Sequence, residues 1–474
     1  MTARTRIVAT LGPATDKPGV LRDVIEAGAS VVRLNASHGT QEEHLARIEA
    51  VRAVAAETDR CVGILFDLQG PKIRVGALPP GGVLLAEGER FVLTNRQSPA
   101  GPGAATVDYE PLPREVKTDS PLYLDDGNIC LRVERCTEHD VVCRVERGGV
   151  LTAHKGINAP GASLSAEALT DKDRDDAAFA VAQGVDFIAL SFVRRAADIA
   201  ALRQVVGETA IVAKIERPEA LKQIDAILAA SDAIMVARGD LGVEIALERV
   251  PVVQRQLLVA ANRAGKPAIT ATQMLESMIS HPRPTRAEAT DVHVAVLQLT
   301  DAVMLSAETA VGAYPADAVR AMAKIAAAAE GQPELVGAWR AQRDVARDPT
   351  EAVAQAACEI ATELNARAIV CSTSSGFTPR MVAKYRPGVP IVALAHDERV
   401  RRRLSLTWGV QPMASPPIRS TDEMLAAASR AVIESGVAKK GQMIVITAGV
   451  PVGTPGHTNL IKVHRLGDPV TSGI

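Results

Sequence analysis

The sequence predicts an α/β protein: a (β/α)8 barrel of the TIM type, a small β-barrel lid domain inserted into it, and an open α/β domain on its C-terminal side. Three observations predict this. Eight short apolar, β-branched runs alternate with longer helical patterns. The alternation stops between residues 73 and 165, and a fresh one begins near residue 346. At roughly 150 residues per domain, 474 residues also suggest about three domains.

The eight runs lie at 6–10, 30–35, 62–68, 187–192, 210–215, 233–238, 267–272 and 302–307. Runs such as Ala233-Ile234-Met235-Val236 show no polar alternation, as expected of parallel strands covered on both faces. The stretch 73–165 is rich in Gly and Pro near its start, at Pro79-Pro80-Gly81-Gly82 and Pro99-Ala100-Gly101-Pro102-Gly103. Its apolar runs are short and strand-like, as in Val141-Val142-Cys143-Arg144-Val145. It is expected to form a β lid over one end of the barrel, a common device for shutting water out of a site. The third unit is expected to place strands at 367–372, 390–395, 409–414 and 443–448, with amphipathic helices between them. The polar segment Arg340–Pro349 reads as the junction. The expected limits are 1–72 with 166–345 for the barrel, 73–165 for the lid and 346–474 for the C-terminal domain.

Composition narrows the function classes. Hydrophobic residues make up 47% and aromatics 3%, so the core is aliphatic. A net charge of −2 gives no electrostatic reason to expect nucleic-acid or membrane partners. No apolar run approaches the ~20 residues of a membrane helix. With the strand-like Ile7–Thr10 so close to the start, no secretory leader is expected. The six cysteines form no Cys-x-x-Cys pair, so reduced, packed thiols and a cytoplasmic setting are expected.

In a barrel of this type, chemistry gathers where strands end and loops begin. After the second run come Arg33, Asn35, Ser37 and His38; after the third, Asp67 and the loop Gln69-Gly70-Pro71-Lys72-Ile73-Arg74. The fifth ends in Lys214 and Glu216, the sixth in Arg238, Gly239 and Asp240, and the seventh in Thr272. Lys214 and Glu216 are two apart on a strand and so can share a side. Glu216 and Asp240 offer oxygen-only ligation, which suits Mg²⁺ or Mn²⁺. A lysine beside such an ion can stabilise charge that grows during phosphoryl transfer. A plain Lys–Glu salt bridge would read the same way, as would a Gly239 that serves only a tight turn.

Together these strings resemble the pyruvate kinase family over nearly the whole chain. The carrying segments are Ile7–Thr15, Arg33–Gly39, Asp67–Arg74, Lys155–Gly161, Lys214–Glu216, Met235–Gly242, Gly265–Met278, Arg283–Glu288 and Met304–Thr309. The resemblance implies phosphoryl transfer from phosphoenolpyruvate to ADP, the last step of glycolysis. It implies that Arg33 contacts the substrate phosphate and that Lys214 stabilises the phosphoryl group in flight. Glu216 and Asp240 would hold the divalent ion. Gly239 and Thr272 would position the substrate carboxylate, with Thr272 near the protonation that yields pyruvate. Arg74 and Lys155, with Asn35, Ser37 and His38 nearby, would bind nucleotide.

The chain departs from many members at the monovalent site. Asn35, Ser37 and Asp67 are present, but Leu68 stands where a Thr supplies a carbonyl, and Lys72 stands where potassium-requiring members carry Glu. An ammonium at that place supplies the missing positive charge, so potassium-independent activity is expected. Ala36 replaces an aromatic residue of many members, a change of packing rather than chemistry.

In the third unit, Ser372-Thr373-Ser374-Ser375-Gly376-Phe377-Thr378 follows a strand and precedes a helical pattern. Hydroxyls and backbone N–H groups at such a place suit an anion, although an ordinary helix-capping turn has the same appearance. The resemblance places phosphorylated effectors here, a sugar phosphate or AMP, and implies a homotetramer. Two rivals remain. One is a metal-dependent barrel lyase or aldolase acting on pyruvate or phosphoenolpyruvate, with Lys214 as a Schiff base. The other is a non-catalytic effector-binding relative, which should have lost Lys214, Glu216, Asp240 or Thr272; all four are present.

Overall fold

Every apolar run expected in the barrel becomes a strand in the computed structural model, which describes residues 3–98, 103–162, 165–332, 348–451 and 457–469. The chain lays down β1 (Arg6–Thr10), β2 (Ala29–Asn35) and β3 (Gly63–Asp67), then leaves the barrel. Outside it form β4 (Val83–Leu85), β5 (Arg90–Thr94), β6 (Ala104–Thr106), β7 (Pro121–Leu124), β8 (Ile129–Cys136), β9 (Asp140–Arg147), β10 (Gly149–Leu151) and β11 (Ile157–Asn158). It returns for β12 (Phe187–Leu190), β13 (Ala210–Ile215), β14 (Ala233–Ala237), β15 (Ala268–Ala271) and β16 (Ala302–Leu305). The barrel closes in the order β1-β16-β15-β14-β13-β12-β3-β2. The insertion therefore falls between β3 and its parallel neighbour β12.

The strands are buried on both faces because side chains fill the barrel and helices cover it. Val8, Val31, Leu65, Val212, Met235, Ile269 and Met304 pack inside. Ile64, Phe66, Ile188, Ile211 and Ile234 face the helical layer. Thr40, Thr170 and Thr285 start three of the helices with capping boxes, each accepting an N–H from a carboxylate residue three positions on.

The inserted segment holds a six-stranded sheet, β11-β7-β8-β9-β5-β6, and a two-stranded ribbon, β10-β4. Arg74 bridges to Gly156 beside β11, and Val75 bridges to Val107 beside β6. These two residues thus join the outer edges and curl the sheet towards a barrel, which answers the exposed-edge problem.

The C-terminal unit is a sheet of β17 (Ile369–Ser372), β18 (Ile391–Ala395), β19 (Val410–Ala414), β20 (Met443–Ala448) and β21 (Leu460–Arg465), in the order β19-β18-β17-β20-β21. The antiparallel edge strand β21 goes beyond the four expected strands. The C-terminal unit ties to the barrel through Arg386, whose guanidinium meets Asp301 at 2.9 Å with both side chains buried. Of the expected junction, 340–347 lie outside the described residues, and Asp348 caps the helix Pro349–Glu363. All six cysteines are free. Burial pushes the Cys61 and Cys143 thiols up to about 11 and about 12, which keeps them unreactive. Among the described residues, no helix is long and apolar enough to cross a membrane.

Candidate active site

At the C-terminal rim, β2, β3 and β13 bring four charged side chains together. Asn35 and Asp67 stand in register across β2 and β3. Arg33 grips Asp67 Oδ2 from Nε and a terminal nitrogen, both at 2.7 Å, and also donates to Thr10 Oγ1 at 3.2 Å. Lys214 Nζ lies 3.2 Å from Asp67 Oδ1 and 3.0 Å from Glu216 Oε1, and donates to Ser191 Oγ at 2.7 Å. Glu216 Oε2 accepts the Phe192 N–H at 2.7 Å.

The electrostatics follow from this web. Burial would raise the Asp67 carboxyl, but Lys214 and Arg33 together hold it below the ordinary range. Burial would strip a proton from Lys214, but Asp67 and Glu216 outweigh it and raise the ammonium above its usual value. Glu216 is raised, first by burial and then by Asp240, with Lys214 opposing. A lysine held this firmly in its charged form is a poor Schiff-base nucleophile, which argues against the aldolase reading.

On the opposite side of the mouth, Gly239 donates its N–H to Thr272 Oγ1 at 2.8 Å. Thr272 and Gln273 adopt φ of 67° and 53°, a strained conformation for residues with side chains, above all for a β-branched one. Arg238 holds that turn by donating to the Thr272 carbonyl at 2.6 Å and pairing with Asp291 at 2.7 Å. Asp240 lies 3.5 Å from Lys72 Nζ, which also reaches Asp126 of the inserted domain at 3.8 Å.

The inserted domain overhangs this mouth. A Cβ on Gly156, the residue after Lys155, would meet Lys72 Cε at 2.7 Å, so the two chains touch there. Lys155 itself pairs with Asp125 at 2.6 Å within the inserted domain. Arg74 donates to the His154 carbonyl at 3.0 Å. His38 sits among cations: burial first, then Arg74, Arg33 and Lys72, hold its pKa below the ordinary value. Ser37 donates its N–H to Asn35 Oδ1 at 3.2 Å. Deeper down, Glu244 Oε1 accepts from Arg217 at 2.8 Å and from Asn158 of the inserted domain at 3.1 Å, a buried tie between lid and barrel.

Among the described residues there is no cluster of three or more His, Cys, Asp or Glu suited to a metal. Mg²⁺ needs no such cluster, since it commonly takes one or two carboxylates and fills its shell with water and substrate phosphate. Glu216 and Asp240 fit the need: Glu216 Oε1 is buried and faces Lys214 Nζ at 3.0 Å, and Asp240 lies close enough to raise the Glu216 carboxyl. At the monovalent position, the Leu68 carbonyl accepts the Ser191 hydroxyl at 2.7 Å.

The rim thus brings together Arg33, Asp67, Lys214 and Glu216, with Asp240 close enough to act on the last two while meeting Lys72, and beside them Gly239 with Thr272. The serine-rich candidates lie apart in the C-terminal sheet, around a cavity of about 100 Å³ lined by Ser372, Thr373, Ser374, Ser375 and Thr378. His396 and His457 also line it. Gly376 stays outside the lining and caps the helix Phe377–Ala383 at φ 77°. Ser191 and Phe192 are absent from the sequence-derived candidates. They directly follow β12, so an inspection of every strand end would have found them. A Cβ on Gly70 would strike Ser191 Cβ and Phe192 Cδ2, each at 2.8 Å, which explains the glycine there.

Two family models match the chain: "Pyruvate kinase, barrel domain" over residues 2–319 and "Pyruvate kinase, alpha/beta domain" over 351–464. A pyruvate kinase of Geobacillus stearothermophilus is 45% identical, covering 100% of this chain and 82% of the relative. One of Mycobacterium tuberculosis is 43% identical, covering 99% of each. A crystal structure of a pyruvate kinase from Cryptosporidium parvum superposes with a TM-score of 0.91 at 37% identity, covering 98% of this chain and 96% of that one.

Proposed function

From the premise that the chain belongs to the pyruvate kinase family and transfers the phosphoryl group of phosphoenolpyruvate to ADP, we propose that the Arg33–Asp67–Lys214–Glu216 web carries out that transfer. The observation behind this reading is Lys214, an ammonium kept charged between two buried carboxylates and a hydroxyl at one rim of the barrel.

Arg33 takes the substrate phosphate, its fork already oriented by Asp67. Lys214 faces the phosphoryl group as it leaves the enol oxygen for the ADP phosphate oxygen, and offsets the charge spread over its oxygens. The Gly239 N–H and Thr272 hydroxyl, already paired with each other, orient the substrate carboxylate. The enolate left behind takes a proton at its methylene carbon near Thr272 and becomes pyruvate. Arg74, Lys155, Asn35, Ser37 and His38 receive the nucleotide, with the inserted domain acting as a lid against water. Enzymes of this family generally use Mg²⁺; here Glu216 and Asp240 would hold it, and the ion supplies charge neutralisation for the phosphate oxygens.

Lys72 replaces the potassium ion in this reading. Supporting it, the Leu68 carbonyl and Asn35 Oδ1 each already accept a hydrogen bond, leaving less of a cage for a monovalent ion.

The cavity lined by Ser372–Ser375 with Thr378 would take a sugar phosphate or AMP. Titrating each against sub-saturating phosphoenolpyruvate tests it, and indifference to all of them removes it. Exposed Leu247, Val252 and Val294 on neighbouring barrel helices support a homotetramer, which a monomeric mass by light scattering would refute. A cytoplasmic workplace belongs to the same reading.

The decisive experiment measures pyruvate formation from phosphoenolpyruvate, ADP and Mg²⁺ in potassium-free buffer, then adds potassium. Strong activity before the addition is expected. Activity only afterwards would remove the Lys72 reading, and none in either would remove the assignment of the web.

A further inference from the structure

At its N-terminal end the barrel meets the C-terminal domain along a seam crowded with cations. A cleft of about 380 Å³ opens there between residues 205–209 and the helix Glu398–Leu404, with Arg399, Arg402 and Arg403 on its wall. The cleft's buried carboxylate, Asp186, is already shared by Arg402 at 2.7 Å and Arg52 at 2.9 Å. Arg403 donates to the Glu208 carbonyl, while its Nε is buried without an acceptor.

Behind Arg403 stand Arg203, Lys266 and Arg380. The carboxylate that faces all four is Asp232, and it is committed to Arg203 at 2.7 Å and to the Ile211 N–H at 2.9 Å. Lys266 donates to the Ser231 carbonyl at 2.7 Å, and Arg380 to the Ser375 carbonyl at 3.3 Å, both neutral partners. The other nearby acids are the exposed Glu208 and the pair at the helix start. Of these, Asp397 meets Arg399 at 3.6 Å and Glu398 meets Arg401 at 2.7 Å.

Burial lowers the pKa of Lys266, Arg380 and Arg403, and neighbouring cations lower each further: Arg380 and Arg203 act on Lys266, Arg403 on Arg380, Arg399 on Arg403. Asp232 opposes this at every one of them, joined at Arg403 by Asp186 and Asp397, without cancelling it. Mutual repulsion of this kind is relieved by an added anion, and guanidinium forks match the geometry of phosphate.

We propose that this seam binds a phosphate dianion, free or carried by a small metabolite, between the barrel and the C-terminal domain. The site is separate from the catalytic rim and from the serine-lined cavity, although Arg380 reaches the backbone of that cavity's loop at Ser375.

Calorimetric titration of the full-length chain with inorganic phosphate tests this, with chloride at matched ionic strength as the control and glycerol phosphate as the ester. Saturable heat with phosphate and none with chloride is expected. Arg380→Gln and Arg403→Gln should each weaken binding about tenfold, the equivalent of one charge-assisted contact. Asp232→Asn, which removes the shared counter-charge, should tighten it. Glycerol phosphate binding more tightly would identify an ester as ligand, and phosphate binding alone the free ion. If Arg403→Gln does not fold, the exposed Arg399→Gln gives the same readout. Equal heats with chloride would overturn the site. So would phosphate binding that survives the Arg380 and Arg403 variants but is lost in Arg33→Gln, since the ion would then lie at the catalytic rim.

Discussion

At the C-terminal rim, Arg33 and Lys214 share Asp67 and Glu216 through contacts no longer than 3.2 Å, whereas at the opposite end Arg203, Lys266, Arg380 and Arg403 share Asp232, with Asp186 and Asp397 as further counter-charges to Arg403. The rim is balanced within itself. Its cations are held charged and aimed before any substrate arrives, so little reorganisation is left for the moment of reaction. The seam is unbalanced, and its cations repel one another until something outside the chain joins them. Charge alone therefore does not mark a catalytic centre in this molecule. The number of counter-charges within reach separates a group prepared for chemistry from one waiting for a ligand.

The sharpest way to break the comparison is to unbalance the rim. Lys214→Met should lower kcat by on the order of 10³-fold or more, since the charge that meets the transferring group is gone. It also strands two buried carboxylates, so a loss of roughly 3–5 kcal/mol in unfolding free energy should accompany it, read by denaturant titration. Near-normal turnover would end the role assigned to Lys214.

A smaller perturbation sits at the rim's edge. Lys72→Glu should create a potassium requirement, with activation on the order of tenfold, the scale of one charge-assisted contact. The same variant should raise the His38 pKa, because burial, Arg74, Arg33 and Lys72 hold it down in that order. The sign follows from linkage. A histidine lowered on folding contributes stability that is present above its unfolded value of 6.5 and lost as pH falls through the window below it. The variant should lose less stability across that window, and a proton NMR titration of His38 that did not move would contradict the cause.

The mildest test removes a neutral partner. Ser191→Ala leaves both carboxylates on Lys214 but frees the ammonium from its hydroxyl. A fall in kcat of about tenfold with KM unchanged is expected, matching ~1.5 kcal/mol for a hydrogen bond to a charged group. A change in KM alone would make Ser191 structural rather than positioning.

The barrel was legible because its strands are covered on both faces and so read as unbroken apolar runs. β21 was not: Leu460-Ile461-Lys462-Val463-His464-Arg465 is an edge strand whose polar residues interrupt the run. The curl of the inserted sheet was equally hidden, since it depends on isolated bridges at Arg74 and Val75 rather than on any pattern. Of the rim, the residues that carry charge at strand ends could be named from sequence. Ser191 and Phe192 could not be weighed in the same way, because one acts through a hydroxyl and the other through a backbone N–H. The seam left no signal at all. Its cations come from positions 203, 266, 380 and 403, which only the packing of two domains brings together.

Asp173 closes the capping box of the helix Asp171–Ala182 with one carboxylate oxygen, and with the other accepts the Gly70 N–H at 3.0 Å. Gly70 is where the chain departs for the inserted domain, and Thr170 is where it has come back. One side chain therefore holds the two crossings together, as a clasp joins two ends of a strap. A residue that a helix-propensity scale would score only as a cap thus also fixes how far apart the outgoing and returning strands of chain can lie.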